Sequence, residues 1–129
     1  MNDDDLVSAA LNARNQAYSP YSRFAVGAAL LDSSGKVFVG CNVENISFGL
    51  TMCAERVALG SAISAGSRNF TCIAIVSDSK EPVSPCGACR QVLAEFGPNL
   101  RIISANLVGD RAHLELSQLL PRASTGILG

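Results

Sequence analysis

The chain has 129 residues, enough for one domain spanning 1–129, with 10 Lys and Arg against 11 Asp and Glu for a formal net charge of −1. A chain of this length buries about two-thirds of the surface its unfolded form exposes, so it folds without disulfide or metal staples. A hydrophobic fraction of 48% excludes disorder, and with Lys36 and Lys80 as the only lysines there is no basic stripe for a nucleic-acid polymer.

Residues 3–17 read as an amphipathic helix, with Leu6, Val7, Ala10, Leu11, Arg14 and Ala17 at mainly apolar three–four spacing. The acidic start, Asp3 to Asp5, suits the positive end of the helix dipole. It is also the opposite of a secretory signal, which opens basic. No apolar run approaches the roughly 18 residues of a membrane helix, so the expectation is a cytoplasmic protein with no membrane partner. Residues 24–31 and 36–41 read as two strands joined by the turn Asp32-Ser33-Ser34-Gly35, a hairpin. Residues 42–50 are polar and irregular. Thr51 is positioned to cap a helix over 52–65, stopped by Gly66. Residues 70–77 fit a buried strand. After a loop, Ser84 or Pro85 opens a helix to about Phe96, ended by Gly97-Pro98. Residues 101–107 and 113–116 read as strands, and 117–120 as one helical turn before Pro121. The later strand–helix–strand alternation requires a crossover and a partly parallel sheet, and the opening hairpin makes that sheet mixed.

Five cysteines, an odd number in a chain without an export signal, point to metal or catalysis rather than a disulfide framework. The single histidine, His113, excludes any multi-histidine metal site. Cys86-Gly87-Ala88-Cys89 opens one expected helix and Cys53-Ala54-Glu55 another. Free N–H groups and the dipole at a helix start favour thiolates. Three sulfurs from two such starts would hold Zn²⁺ and leave one tetrahedral position open for water. Spacing alone also allows a closed site with Cys41, Cys72 or His113 as fourth ligand, a redox pair at Cys86 and Cys89, or plain core cysteines. Glu55, two residues past Cys53, leaves the helix in a different direction and could move protons over an open metal position. It could equally complement the dipole. Arg56, three past Cys53, lies roughly on the cysteine's face, where a guanidinium would offset the excess negative charge of three thiolates on Zn²⁺; without a metal it reads as an ordinary surface arginine.

These residues resemble the cytidine deaminase family. The resemblance runs over residues 5–121 and is carried by YSPYSRFAVGAAL (18–30), GCNVENI (40–46), CAER (53–56) and SPCGACRQ (84–91). It implies a three-layer α/β/α fold around a five-stranded mixed sheet, and the short, three-cysteine, homotetrameric branch. It also implies the general chemistry of zinc deaminases: Cys53, Cys86 and Cys89 as ligands of one Zn²⁺ per subunit, and Glu55 passing a proton from water to N3 of cytosine and then to the departing amine. Arg56 would balance the thiolates. Asn42 and Glu44 would bind the ribose hydroxyl, Phe24 would stack on the base, and the backbone at Ala54 and Ser84 would read the pyrimidine edge. The substrate implied is a pyrimidine nucleoside, cytidine or deoxycytidine, and the usual role is pyrimidine salvage.

One departure concerns the pocket wall. The family often carries a phenylalanine shortly after Leu-Leu-Pro, reaching a neighbouring subunit's base pocket. Here Leu119-Leu120-Pro121 is followed by Arg122-Ala123-Ser124, and no aromatic follows Phe96. Ile127 or Leu128 would then stand in, with weaker stacking. Phe48 occupies a position where tyrosine is also common. The competing readings are a deaminase of a cytosine-bearing antibiotic, a polynucleotide editor and an inactive zinc-stabilised module. The Asn42-Val43-Glu44-Asn45 run favours a ribose-bearing substrate over the first. The charge balance speaks against the second, and Glu55 against the third.

Overall fold

In a computed structural model the described residues are 1–123. Ser124, Ile127 and Leu128 lie outside them. The chain runs α1 (Asp3–Arg14), β1 (Val26–Asp32), β2 (Val37–Cys41), a 3₁₀ turn (Phe48–Leu50), α2 (Ala54–Ser64), β3 (Phe70–Ser77), α3 (Gly87–Ala94), β4 (Arg101–Ala105), β5 (Arg111–Glu115) and α4 (Leu116–Leu119). The strands form one sheet in the order β2-β1-β3-β4-β5. β3 and β4 are parallel, joined by the crossover through α3, and the other neighbouring pairs are antiparallel. This is the mixed five-stranded sheet expected from the sequence.

Helices cover both faces, because the inner strands are apolar on both. On one face Leu6 and Ala10 of α1 pack on Ala29, Cys72, Ala74, Val76 and Ile103. On the other, Ala54, Ala58, Leu59 and Ala62 of α2 and Leu93 and Ala94 of α3 pack on Ala28, Leu30, Ile73, Ile75 and Ile102. Two glycines set how closely the helices approach. A Cβ on Gly27 would stand 2.0 Å from the Ala10 carbonyl oxygen, and one on Gly40 would stand 2.4 Å from Ala58 N and 2.6 Å from the Ala54 carbonyl oxygen. Backbone of α1 and α2 therefore rests directly on backbone of the hairpin.

Several boundaries differ from the sequence reading. The first helix stops at Arg14 rather than residue 17, capped at its start by Asn2, whose side chain accepts from Asp5 N. The first strand begins at Val26, because the Phe24 and Ala25 amides donate to Ser22 Oγ and Asp78 Oδ2 instead of to a neighbouring strand. Thr51 does not cap α2; Cys53 holds the N-cap position. Neither Ser84 nor Pro85 opens α3, whose N-cap is Cys86, with its sulfur accepting from Cys89 N. Gly66 ends α2 as expected, with φ 94°. Among the described residues no helix is long and apolar enough to cross a membrane.

Candidate active site

Both cysteine-bearing helix starts reach the same place. The Cys53 and Cys86 sulfurs are 3.8 Å apart and those of Cys86 and Cys89 are 3.4 Å apart. Two ligands at the usual Zn–S distance and tetrahedral angle stand about 3.8 Å apart, so these separations suit one shared ion. All three sulfurs lie within 4.8 Å of one another, the one group of three or more metal-binding side chains among the described residues. Cys41, Cys72 and His113 do not join it. Cys72 is buried in β3, and burial pushes its thiol up to about 11. A fourth tetrahedral position is thus left free of protein sulfur or imidazole, as in catalytic rather than structural zinc sites.

The charge around the sulfurs is arranged for thiolates. The neighbouring Cys89 thiol, as donor, and the Arg56 guanidinium hold Cys53 down at about 5. The same contact pushes the Cys89 thiol upward. Arg56 donates through Nη2 to Cys53 Sγ at 3.6 Å and to the Thr51 carbonyl at 3.3 Å. Its Nε is buried without a partner among the described residues. A buried donor left beside a sulfur cluster fits a site completed by negative charge, which is what thiolates on a cation supply.

Glu55 is 5% exposed, in the first turn of α2. Burial raises its carboxyl above the ordinary range, with the Cys53 charge acting in the same direction. It lines a cavity of about 290 Å³ together with Phe24, Asn42, Ala54, Cys53 and Cys86. Six of the residues singled out in the sequence therefore meet at one pocket. Thr51, Val26, Ile75 and Val83 line it too. The sequence marks none of them as a site residue, since Val26 and Ile75 read as ordinary strand core and Thr51 as a helix cap. Ser84 is exposed and sits between Val83 and the loop's last residue before Cys86. A larger hollow of about 360 Å³ lies beyond the other end of α2, around Asp32, Lys36 and Ser67. It contains no cysteine.

Asn42 and Glu44 are wired into the backbone. Asn42 Oδ1 accepts from Val26 N at 2.9 Å and its Nδ2 donates to the Phe24 carbonyl at 2.8 Å. Glu44 Oε1 accepts from the Tyr21 and Ser22 amides at 3.0 and 3.1 Å, and Oε2 accepts from Ser22 Oγ. Glu44 lines an adjoining hollow with Tyr21, Ser22, Phe48 and Thr51. The 18–26 segment turns through Arg23, φ 57°, immediately before Phe24. Asn42 and Glu44 together fix the loop that presents Phe24, a task invisible in their spacing.

A family model described as the cytidine and deoxycytidylate deaminase zinc-binding region matches residues 1–105. A cytidine deaminase of Halalkalibacterium halodurans is 54% identical over 93% of this chain and 92% of its own length. One from Mycobacterium tuberculosis is 45% identical over 88% of this chain and 83% of its own. The crystal structure of a cytidine deaminase from Burkholderia pseudomallei superposes with a TM-score of 0.92 at 52% identity, covering 95% of this chain and 99% of that one.

Proposed function

The chain belongs to the cytidine and deoxycytidylate deaminase family, and from that premise we propose that it is a zinc-dependent hydrolase converting cytidine and deoxycytidine to uridine and deoxyuridine with release of ammonia. The observation that carries the reading is a cluster of three cysteine sulfurs, two of which, Cys53 and Cys86, line one open pocket together with the buried Glu55. Cys53, Cys86 and Cys89 would hold one Zn²⁺ per subunit, which when bound supplies the Lewis acidity that makes water nucleophilic near neutral pH.

The chain's own residues do the rest. Glu55 takes a proton from the attacking water and delivers it to N3 of the cytosine ring as oxygen adds at C4. It then passes the second proton to the exocyclic amine as the C4–N bond breaks, so water and nucleoside become the oxo-pyrimidine and ammonia. Its burial favours the protonated form that the second delivery needs. Phe24 stacks on the base from the pocket wall, and the backbone at Ala54 and Ser84 reads the pyrimidine edge. Asn42 and Glu44 face the sugar while holding the 18–26 loop. Arg56 offsets the thiolate charge at Cys53.

Residues 1–129 act as one catalytic domain, in the cytoplasm and in pyrimidine salvage. Its assembly is a homotetramer. Ile46, Phe48 and Leu50, 76%, 73% and 69% exposed, lie on the segment bordering the pocket, a cluster of apolar side chains that another copy would cover. A monomer by light scattering at assay concentration would refute the assembly. The reaction itself is tested by the ultraviolet change of cytidine with zinc-loaded protein, Glu55→Gln run alongside. Conversion by the native protein, with the variant keeping zinc but losing most turnover, is the expected result. Near-native turnover in Glu55→Gln would remove Glu55 from its role, and absence of conversion by zinc-loaded native protein would refute the activity.

A further inference from the structure

We propose that Ser104 is a positioning residue for this reaction: its hydroxyl holds the Val83 carbonyl and so fixes the pocket wall against the base. The inference rests on the deaminase reading above.

Residues 79–85 join β3 to α3. They carry Val83, which lines the pocket, and lead straight into Cys86. Among the described residues this segment makes no backbone–backbone hydrogen bond. A loop without a ladder takes its shape from whatever holds its carbonyls. Four side chains do so. Asn106 Nδ2 donates to the Lys80 carbonyl at 2.8 Å, and Ser79 Oγ donates to that of Glu81. Ser104 Oγ donates to the Val83 carbonyl at 2.6 Å, and Arg90 Nε to that of Pro85 at 2.7 Å. Of the four, Ser104 acts at the residue that lines the pocket.

Ser104 sits in an improbable place for a hydroxyl. It is fully buried on β4, between Ile103 and Ala105, which are buried as well. A hydroxyl there is unfavourable unless partnered, and packing alone is met equally well by alanine. The sheet does not need it either, because the strand pairing of β4 with β3 and β5 runs through main chain. In register it faces Ile75 of β3, another residue lining the pocket. The side chain therefore reaches from the sheet to the loop on the face where the site lies. Cys86 has separate support, as N-cap of α3 and through the Arg90 bond to its neighbour Pro85. Losing the Ser104 hydroxyl would loosen the wall at Val83 and leave the metal ligands in place.

Ser104→Ala tests this. A single lost hydrogen bond of ordinary strength predicts KM for cytidine rising about threefold to tenfold, with kcat and zinc content near native. Backbone NMR order parameters should fall at residues 81, 83 and 84 and stay unchanged in the β4 core. Unchanged KM, or a fall in kcat and zinc content at constant KM, would overturn the proposal. The order-parameter measurement needs no turnover, so it separates the two failures. Native protein inactive on cytidine refutes the deaminase reading before any variant is compared. Native-like order parameters across 81–84 in Ser104→Ala refute the clamp in active or inactive protein alike.

Discussion

Gly40→Ala should disable the site from the far side of the helix that carries it. The new Cβ would lie 2.4 Å from Ala58 N, 2.6 Å from the Ala54 carbonyl oxygen and 3.0 Å from the Val57 carbonyl carbon, all backbone of α2. Ordinary carbon contacts begin at about 3.5 Å, so α2 must move outward by about 1 Å, since no side chain can swing aside instead. Overpacking of this kind costs about 1–3 kcal/mol. The displaced turn is the one that follows Cys53 and contains Glu55. A misplacement of about 1 Å at reacting groups costs on the order of 100-fold in rate. Gly60→Ala in the same helix is the control, because a Cβ there meets nothing within 4 Å. Replacing a helix-interior glycine should stabilise by about 0.5–1 kcal/mol and leave turnover unchanged. Thermal denaturation and cytidine turnover are read on both variants. Native melting and turnover in Gly40→Ala would refute the direct backbone packing of α2 on β2 and the coupling of that packing to the site.

Arg56→Ala should lose zinc to a chelator about tenfold faster than native protein, as expected for a partner supporting a metal ligand; equal rates would refute the charge-balance role. Asp32 gives a pH test remote from the metal. Its carboxylate accepts from Ser67 Oγ, Ser34 Oγ and the Ser34 and Lys36 amides, which hold it down at about 2, the Ser67 bond most of all. A depressed carboxylate stabilises the fold fully above its unfolded value near 3.8, and this stabilisation fades as pH falls toward 2. Asp32→Asn should therefore be less stable than native protein at pH 6, with the gap closing below pH 4; a urea-denaturation gap that stays constant between pH 6 and pH 3 would refute it.

Much of this protein is legible in the sequence because its signals are local. The strand Phe70–Ser77 coincides with the apolar run that predicts it, since a run of buried and half-buried apolar residues between turns has no other economical use. The cysteine pair separated by two residues and the Cys-Ala-Glu run mark a metal or redox site, because one helical turn brings Cys86 and Cys89 to a common point, while the choice of catalytic zinc came from the family resemblance. Boundaries were less legible. Thr51 has the side chain of a cap, yet Cys53 takes the cap position, as Cys86 does for α3. Placing a ligand at the first free N–H groups of a helix outweighs cap propensity there.

Tertiary structure decided what depends on residues distant in the chain. Asn42 and Glu44 are marked for a sugar by the family resemblance, and the fold adds a second task by giving them the amides and carbonyl of residues 21–26. Glu55 reads as an ordinary first-turn carboxylate until packing buries it and raises its proton affinity. Gly27 and Gly40 carry no local signal, because the atoms that exclude a Cβ belong to helices elsewhere in the chain. Ser104 is a polar interruption in an apolar strand until the loop at Val83 arrives beside it. Sequence determined which elements form and which ligands are available, since propensity and periodicity act within a few residues. The position of the pocket, its walls and the raised proton affinity of its glutamate come only from close packing between segments that propensity does not connect.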